Sequence, residues 1–323
     1  MNAILDIKGL RACLRGRSEN AYVIDGLDLT VQEGEVVALV GESGSGKSMT
    51  AFSILQLLPP AIHITDGTIL LGGHDVMKMD VRTLRQVRGT QASIVFQEPM
   101  TSLNPLMTVE RQIAEMLLIH GKATRRTAPG KVIELLELVR MPDAKRRAKQ
   151  YPHNLSGGLR QRAMIALALA CEPRLLIADE PTTALDVTIQ QQILKLLLDL
   201  RDRLGMAILL ITHDLGVVAE MADRVAVMYA GRIVEHGPVV ELLEAPRHPY
   251  THGLLSCLPA EHADPDERLT EIPGLPPQPG SIRQGCPFAP RCPRSDAICT
   301  EVEPAMTSDG ASHYKCHHPW TAP

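Results

Sequence analysis

The pattern of apolar positions divides the chain into an early part rich in strands and a middle part rich in helices. Short apolar runs bounded by glycine or charged residues predict strands at ILDI, LDLTV, EVVALVG, GTILLGG and SIVFQ, all within the first 100 residues. Residues 108–150 change to a helical spacing, with Val109, Ile113 and Leu117 on one face and Thr108 as the predicted N-cap.

Two later apolar runs are nearly continuous and predict buried strands. RLLIADE and AILLITHD flank a helix predicted for VTIQQQILKLLLDLRDRLG, and this order is typical of a parallel sheet covered on both faces. A hairpin with its turn at Ala230 and Gly231 follows. Half of the 24 prolines lie after residue 255, too many for a helical or sheet core, so we place a domain boundary near residue 240.

Charge and hydropathy exclude several classes of protein. The 323 residues carry a formal net charge of −4, which gives no reason to expect a nucleic acid partner. No apolar run approaches the ~20 residues that cross a bilayer, and the N-terminal residues show no signal-peptide pattern. We therefore expect a soluble or peripheral protein whose cysteines are reduced unless they hold a metal.

Glycine and serine are concentrated in the segment GESGSGKS at residues 41–48, directly after an apolar strand. A backbone that turns tightly at its glycines can direct several N–H groups at a phosphate, and the start of the following helix adds partial positive charge. Lys47 is placed to reach the outer phosphates and Ser48 to ligate Mg²⁺. The predicted nucleotide contacts in this loop are Gly41, Ser43, Gly44, Ser45, Gly46, Lys47, Ser48 and Met49.

Two adjacent carboxylates follow the buried strand in LLIADEP at residues 175–181. Asp179 would stand at the strand end, where a carboxylate can hold Mg²⁺ through water, and Glu180 would polarise an attacking water. The alternative is a strand that simply ends at the surface with two acidic residues. In a chain that also carries a phosphate loop, the pair favours nucleotide hydrolysis.

The segment LSGGLRQR at residues 155–162 lies between the phosphate loop and LLIADEP. Ser156, Gly157 and Gly158 stand at a predicted helix start, which provides a second anion-binding N-terminus. Together the three motifs resemble the ATP-binding cassette (ABC) family, in which the position of Leu159 is more often Gln or Met. The resemblance implies that these residues contact the γ-phosphate of an ATP held by the opposite subunit of a head-to-tail dimer.

The resemblance also assigns roles to four single residues. Gln97 matches the glutamine that contacts Mg²⁺ and the attacking water, and Asp186 matches the loop that crosses the dimer interface. His213 matches the histidine that contacts the γ-phosphate and orients Glu180. Glu180, His213, Gln97 and Lys47 are thus the implied catalytic residues. The family stacks adenine on an aromatic residue, and the equivalent position here is Leu14. Tyr22 is the nearest aromatic residue that could substitute, a core or surface tyrosine being the alternative.

The implied fold class is α/β. It is a P-loop NTPase domain of the ABC type with an antiparallel β subdomain and a helical subdomain. We predict this domain over residues 1–240, with the helical subdomain at about 98–165. A small Cys/Pro-rich C-terminal extension is predicted over residues 241–323.

That extension carries three further segments, RHPYTHGLLSCLP, IPGLPPQPG and GCPFAPRCP. They resemble the C-terminal region of oligopeptide and dipeptide importer ATPases. The resemblance implies an ATPase that powers peptide uptake in a binding-protein-dependent importer, with a nickel or other small-solute importer as the alternative. An alternative of another class is a soluble ATPase that acts on nucleic acid, which the charge balance does not favour.

A subunit of such an importer would not act alone. The implied partners are a second homologous ABC ATPase subunit in a heterodimer, two transmembrane permease subunits and an extracytoplasmic solute-binding protein. The implied location is the cytoplasmic face of the inner membrane, as a peripheral protein.

Four of the seven cysteines lie near the C-terminus, at Cys286, Cys292, Cys299 and Cys316. Their spacing lacks the paired C-x2-C units typical of zinc fingers, although four thiolates can hold a [4Fe–4S] cluster or a structural Zn²⁺. The resemblance implies the [4Fe–4S] cluster, and Zn²⁺ or free or disulfide-bonded cysteines remain the alternatives. His313, His317 and His318 are further candidate ligands.

Overall fold

The fold is described by a computed structural model over residues 3–16, 21–183, 185–257, 271–281 and 284–321. The chain forms two compact units, each built from several segments. Unit 1 comprises Met1–Leu5, Thr30–Val36 and Leu70–Ile211, and unit 2 comprises Asp6–Leu29, Val37–Ile69 and Thr212–Pro323.

The described part of the chain contains both β-strands and α-helices. The strands are β1 (Ala3–Leu14), β2 (Tyr22–Gln32), β3 (Val36–Val40), β4 (Ile62–Leu71), β5 (His74–Asp75), β6 (Ala92–Val95), β7 (Leu175–Asp179), β8 (Ala207–Thr212), β9 (Arg224–Tyr229), β10 (Arg232–Pro238), β11 (Thr307–Asp309) and β12 (Ser312–Tyr314). The helices are α1 (Lys47–Ile54), α2 (Val81–Thr90), α3 (Pro99–Ser102), α4 (Val109–Ile119), α5 (Ala128–Leu138), α6 (Ala144–Ala148), α7 (Gly157–Leu169), α8 (Val187–Leu204), α9 (Leu215–Met221), α10 (Val239–Glu244), α11 (Pro249–Ser256) and α12 (Ala297–Glu301).

In unit 1, strands β6, β7 and β8 form parallel pairs, with Ala92 opposite Leu175 and Leu175 opposite Ala207. Every residue of β7 is buried, as the nearly continuous apolar run predicts. Helices α4 to α6 occupy the region with helical spacing, and the Thr108 hydroxyl accepts a hydrogen bond from the Arg111 N–H at 3.4 Å. The predicted parallel strands and the predicted N-cap are confirmed.

In unit 2, β9 pairs in parallel with β3 and antiparallel with β10. The turn between β9 and β10 lies at Ala230 and Gly231, whose φ angles of 48° and 83° are typical of a tight hairpin turn. The predicted hairpin is therefore confirmed. Most residues of β1, β2 and β4 also belong to this unit, where β1 lies between β2 and β4.

The proline-rich C-terminal part contributes to a sheet, contrary to expectation. Strand β12 pairs with β10, with Glu235 opposite Tyr314, and β11 pairs with β12. We expected the prolines to keep this part of the chain out of a sheet, and this prediction was wrong. The prolines are unevenly distributed, and residues 305–318, which include β11 and β12, contain none. No helix in the described ranges is long and apolar enough to span a bilayer.

Candidate functional site

The phosphate loop in unit 2 connects β3 to α1 through a backbone that needs glycine. The φ angles of Gly41, Gly44 and Gly46 are 151°, 80° and 109°. A Cβ atom on Gly41 would lie 2.2 Å from the Met228 carbonyl oxygen, and one on Gly46 would lie 2.6 Å from the Val23 carbonyl oxygen. Neither position tolerates a side chain, so the loop can hold this narrow turn only with glycine.

Lys47 is buried at the start of α1 and directs its ammonium group across the loop. Its Nζ atom donates hydrogen bonds to the carbonyl oxygens of Gly41 at 2.7 Å and Glu42 at 2.9 Å. Ser43 and Gly44 at the tip of the loop are exposed, Ser45 is buried, and Ser48 and Met49 are half-buried. The arrangement places a cation at an exposed loop, as phosphate binding requires.

A cavity beside this loop contains Tyr22 and Gly44. The Arg11 guanidinium lies 6.0 Å from the centre of the Tyr22 ring, and Asp25 accepts hydrogen bonds from Arg11 and Arg232. The other wall of the cavity consists of residues from the C-terminal part of the chain, which are Pro277, Gln278, Pro279, Gly280 and Pro287. The sequence pattern gave no indication that these residues would line the same cavity as Tyr22.

In unit 1, the end of β7 carries the two predicted carboxylates. Asp179 is buried, with 3% of its surface exposed, and Glu180 is half-buried. The Glu180 Oε2 atom accepts hydrogen bonds from Gln97 Nε2 at 2.8 Å and from the Thr183 hydroxyl at 2.9 Å. The structure therefore brings together Glu180 and Gln97, and it adds Thr183.

The LSGG segment of unit 1 begins helix α7. Ser156 is the N-cap, its hydroxyl makes no capping hydrogen bond, and both Ser156 and Gly157 are exposed. Gly158 packs against Ile189 of α8 so closely that an added Cβ would lie 2.7 Å from Ile189 Cγ2. Asp186 caps α8, because its Oδ1 atom accepts a hydrogen bond from the Ile189 N–H at 2.9 Å.

His213 follows β8 and is exposed in unit 2. The next residue, Asp214, caps α9 by accepting hydrogen bonds from the N–H groups of Gly216 and Val217. This cap fixes the chain direction directly after His213. The predicted role of the histidine itself stays a prediction.

All four C-terminal cysteines line one small cavity in unit 2. None of the seven cysteines of the chain forms a disulfide. Burial is the main cause that raises the pKa of each thiol in the group. For Cys316, burial and the three neighbouring thiols together raise the pKa to about 12. The four thiols therefore lie close enough to influence one another.

Two further groups accompany the thiols. Ligand atoms of Asp296, Cys299 and His318 lie within 4.8 Å of one another. His248 also lines the cavity. Its Nδ1 atom accepts a hydrogen bond from the Tyr250 N–H, whereas its buried Nε2 atom has no hydrogen-bond partner. Burial lowers the pKa of His248 to about 3, so the ring is neutral and carries its proton on Nε2. Four thiols that line one cavity and one N–H donor without a hydrogen-bond partner fit a thiolate-bound metal centre whose sulfur atoms accept hydrogen bonds.

Comparisons with known proteins agree with this geometry. A family model described as ABC transporter matches residues 24–183, and one described as oligopeptide/dipeptide transporter, C-terminal region, matches residues 234–299. A peptide import ATP-binding protein of Brucella ovis is 52% identical over 321 residues, covering 96% of this chain and 95% of the relative. The chain belongs to the ABC transporter family.

Other ABC relatives are also similar along most of their length. The oligopeptide transport ATP-binding protein OppD of Bacillus subtilis is 47% identical and covers 96% of this chain and 87% of the relative. The dimeric ATP-binding cassette MJ0796, bound to ADP and Pi in a post-hydrolysis state, has a TM-score of 0.65 and 28% identity, covering 73% of this chain and 98% of that structure. The predicted ABC fold and the predicted family are confirmed.

Proposed function

We propose that this ABC chain is the ATP-hydrolysing subunit of a binding-protein-dependent importer for oligopeptides or dipeptides. The substrate class is supported by the match of residues 234–299 and by the names of the Bacillus subtilis relatives, a dipeptide transport protein at 46% identity and an oligopeptide transport protein at 47%. The observation that carries hydrolysis is the Glu180 carboxylate held by Gln97 and Thr183 at the end of β7.

The proposed chemistry divides among the residues already described. The phosphate loop and Lys47 bind the phosphates of ATP, and Mg²⁺, which would neutralise phosphate charge, would be held by Ser48, Gln97 and Asp179. Glu180 accepts a proton from the attacking water, and the hydrogen bonds from Gln97 and Thr183 fix the position of its carboxylate. His213 contacts the γ-phosphate, and Tyr22 contacts the base.

Glu180→Gln tests this assignment, because the amide keeps the shape of the side chain but cannot accept the proton. We expect ATP turnover of the assembled importer to fall about 100-fold, the usual scale for loss of a general base. Glu134→Gln is the matched control, since Glu134 is exposed on α5. Turnover that survives Glu180→Gln would refute the proposal.

The remaining candidate residues would act only in an assembly of several subunits. Ser156, Gly157, Gly158 and Asp186 would complete the ATP site of a second, homologous ATPase subunit, and the exposure of Ser156 and Gly157 supports this role. Two transmembrane permease subunits and an extracytoplasmic solute-binding protein would complete the importer. The chain would lie at the cytoplasmic face of the inner membrane, with a nucleotide-binding domain over residues 1–240, its helical subdomain at about 98–165, and the extension over 241–323.

We also propose that Cys286, Cys292, Cys299 and Cys316 hold a [4Fe–4S] cluster. The cavity that all four line and the unpaired Nε2 donor of His248 support a cluster, whereas the proximity of Asp296 and His318 to Cys299 supports Zn²⁺ as the alternative.

Iron, sulfide and zinc analysis of anaerobically purified protein distinguishes these metals. About four iron and four sulfide per chain are expected for the cluster, and about one zinc without sulfide would replace it by the alternative. Cys316→Ser is expected to lower the metal content strongly, and Cys257→Ser, outside the cavity, is the control.

A further inference from the structure

Glu42 is the second residue of the phosphate loop, and all of its polar groups are engaged. Its carbonyl oxygen accepts hydrogen bonds from Lys47 Nζ at 2.9 Å and from the Ser45 N–H at 3.2 Å, both within the loop. Its N–H and its carboxylate are bound by residues from the C-terminal part of the chain. Three of these five hydrogen bonds of Glu42 therefore involve residues outside the loop.

Arg291 binds the carboxylate. Its Nη1 atom donates to Glu42 Oε2 at 2.6 Å and its Nη2 atom to Glu42 Oε1 at 3.0 Å, which is the bidentate geometry that arginine forms with carboxylates. The Arg291 side chain is 5% exposed and that of Glu42 is 25% exposed, so water screens the pair only partly. The hydrogen bonds to Glu42 raise the pKa of Arg291, as expected for a cation held by an anion.

The other donor atoms of Arg291 anchor it to its own region. Its Nε atom donates to the Pro273 carbonyl oxygen at 2.9 Å, and its Nη atoms also reach the Ile272 carbonyl oxygen and the Tyr229 hydroxyl, each at 3.3 Å. Arg291 directly precedes Cys292. The guanidinium group is thus held in one orientation, which leaves Glu42 little freedom.

Tyr250 binds the backbone of Glu42. The Glu42 N–H donates to the Tyr250 hydroxyl at 2.8 Å, and Tyr250 is fully buried. Its ring contacts those of Tyr229 and Phe288, with ring centres 4.6 and 5.3 Å away. This aromatic packing fixes the hydroxyl, which therefore holds the loop backbone at a defined point.

We propose that Arg291 and Tyr250 are positioning residues for the phosphate loop, so that the nucleotide affinity of this chain depends on its C-terminal region. The proposal rests on the proposed function, because it assumes that the loop binds ATP. Arg291 neutralises and orients a carboxylate that stands inside an anion-binding loop. Without Arg291, the negative charge of Glu42 opposes the phosphates and is free to move toward them.

The test is a titration of the full-length chain with a fluorescent ATP analogue and Mg²⁺, with metal content measured in each sample. We expect Arg291→Ala to raise the dissociation constant about tenfold, and Glu42→Gln, which removes the repelling charge, to raise it less than about threefold. The double variant is expected to bind about as well as Glu42→Gln. Recovery of this kind identifies Glu42 as the residue through which Arg291 acts, and a merely structural role of Arg291 would not produce it.

Tyr250→Phe tests the second contact and leaves the aromatic packing in place. Hydrogen exchange at the Glu42 amide is expected to accelerate at least about tenfold, because the amide loses its acceptor, with weaker nucleotide binding. Arg247→Ala is the control, since Arg247 forms an ion pair of 2.6 Å with Asp309 in the same unit. We expect it to bind nucleotide like the unmodified chain.

Any of three outcomes would overturn the proposal. They are an unchanged nucleotide affinity in Arg291→Ala, a double variant that binds nucleotide no better than Arg291→Ala, and unchanged hydrogen exchange at the Glu42 amide in Tyr250→Phe. If Arg291→Ala loses metal, its weaker binding could have that cause instead. The Tyr250→Phe variant, which leaves Arg291 in place, then decides whether the proposal holds. Lys47→Ala separates this proposal from the proposed function. If Lys47→Ala leaves nucleotide binding intact, the assignment of the loop itself fails.

Discussion

Single residues of the candidate site are subject to structural constraints, and Glu180 is an example. Its φ of 47° lies in the left-handed region, which side-chain-bearing residues rarely adopt. The Glu180 N–H donates to the Ile211 carbonyl oxygen at 2.8 Å, and its carboxylate accepts two hydrogen bonds, from Gln97 and Thr183. These contacts maintain a conformation that costs ~1–3 kcal/mol, which indicates that the carboxylate position is important.

The close packing of Gly158 predicts how the addition of a single carbon atom would change the stability of the chain. Gly158→Ala would place a Cβ 2.7 Å from Ile189 Cγ2, and overpacking of this kind costs ~1–3 kcal/mol. We expect the free energy of unfolding, measured with urea, to fall by about that amount, and Ile189→Ala in the same chain to recover part of it. Gly130→Ala on α5 is the control, because among the described residues its added Cβ would have no atom within 4 Å beyond its chain neighbours and the backbone of its own helix. An unchanged free energy of unfolding in Gly158→Ala would contradict the packing described.

The sequence predicts candidate site residues where they are neighbours along the chain. The phosphate loop, the LSGG segment and the Asp179–Glu180 pair could be predicted because each is contiguous. Arg291 and Tyr250 could not be predicted, because their contacts with Glu42 join residues 249 and 208 positions apart. No local pattern carries information about a contact of that separation.

Helices and strands could be predicted from the sequence where they are long enough for the spacing of their apolar residues to be recognised. The helical region at 108–150 and the buried strand at 175–179 follow from apolar spacing, which the structure reproduces. Strands β11 and β12 have three residues each, too few for an alternating pattern to be recognised. Their place beside β10 follows from pairing with a distant strand rather than from their own sequence.

The pairing of β10 with β12 has a predicted dependence on pH. His236 of β10 stacks on His313 of β12, with ring centres 4.6 Å apart. The pKa of His236 is lowered to about 4, mainly by burial and in addition by the electrostatic effects of His313 and Arg224, whereas Asp28 acts in the opposite direction. The folded chain therefore binds the proton less readily than the unfolded chain, in which the pKa is about 6.5.

It follows that stability falls as pH decreases through the window from about 6.5 to 4. Lowering the pH from 7 to 5 should cost about 2 kcal/mol from this residue, at ~1.4 kcal/mol per pKa unit. The measurement compares urea unfolding at both pH values for the unmodified chain and for His236→Gln, which does not titrate. Equal pH dependence in the two proteins would show that His236 does not contribute.

At the level of the complete chain, the cysteines proposed to hold a metal are connected to the phosphate loop through Tyr250 and Arg291, which contact Glu42 of the loop. His248, which lines the cysteine cavity, lies two residues before Tyr250, and Arg291 directly precedes Cys292. Metal removal through Cys316→Ser should therefore loosen both contacts to Glu42. We expect faster hydrogen exchange in residues 41–48 and an ATP dissociation constant raised about threefold or more, with Cys257→Ser as the control. If exchange in the loop stays constant while metal is lost, the link does not operate.

The assembly itself can be tested with a charge at Ser156. Ser156→Glu places a carboxylate at the exposed start of α7, where a helix N-terminus tolerates negative charge, so folding should be preserved. If Ser156 contacts the γ-phosphate held by a partner subunit, the added charge repels that phosphate and leaves the phosphate loop of the same chain unaffected. We expect ATP turnover of the assembled importer to fall about 100-fold, whereas Ser156→Gln, of equal size but neutral, should lose less.

The decisive comparison is nucleotide binding by the isolated chain at a concentration at which it is monomeric. Ser156→Glu should bind ATP within about twofold of the unmodified chain, whereas Lys47→Ala should lose binding, because Lys47, unlike Ser156, lies in the loop proposed to bind the ATP of its own chain. Loss of binding in Ser156→Glu to the same degree as in Lys47→Ala would mean that the serine contacts a phosphate within one chain. That result would remove the reason for a paired ATPase subunit, since each chain would then hold a complete site.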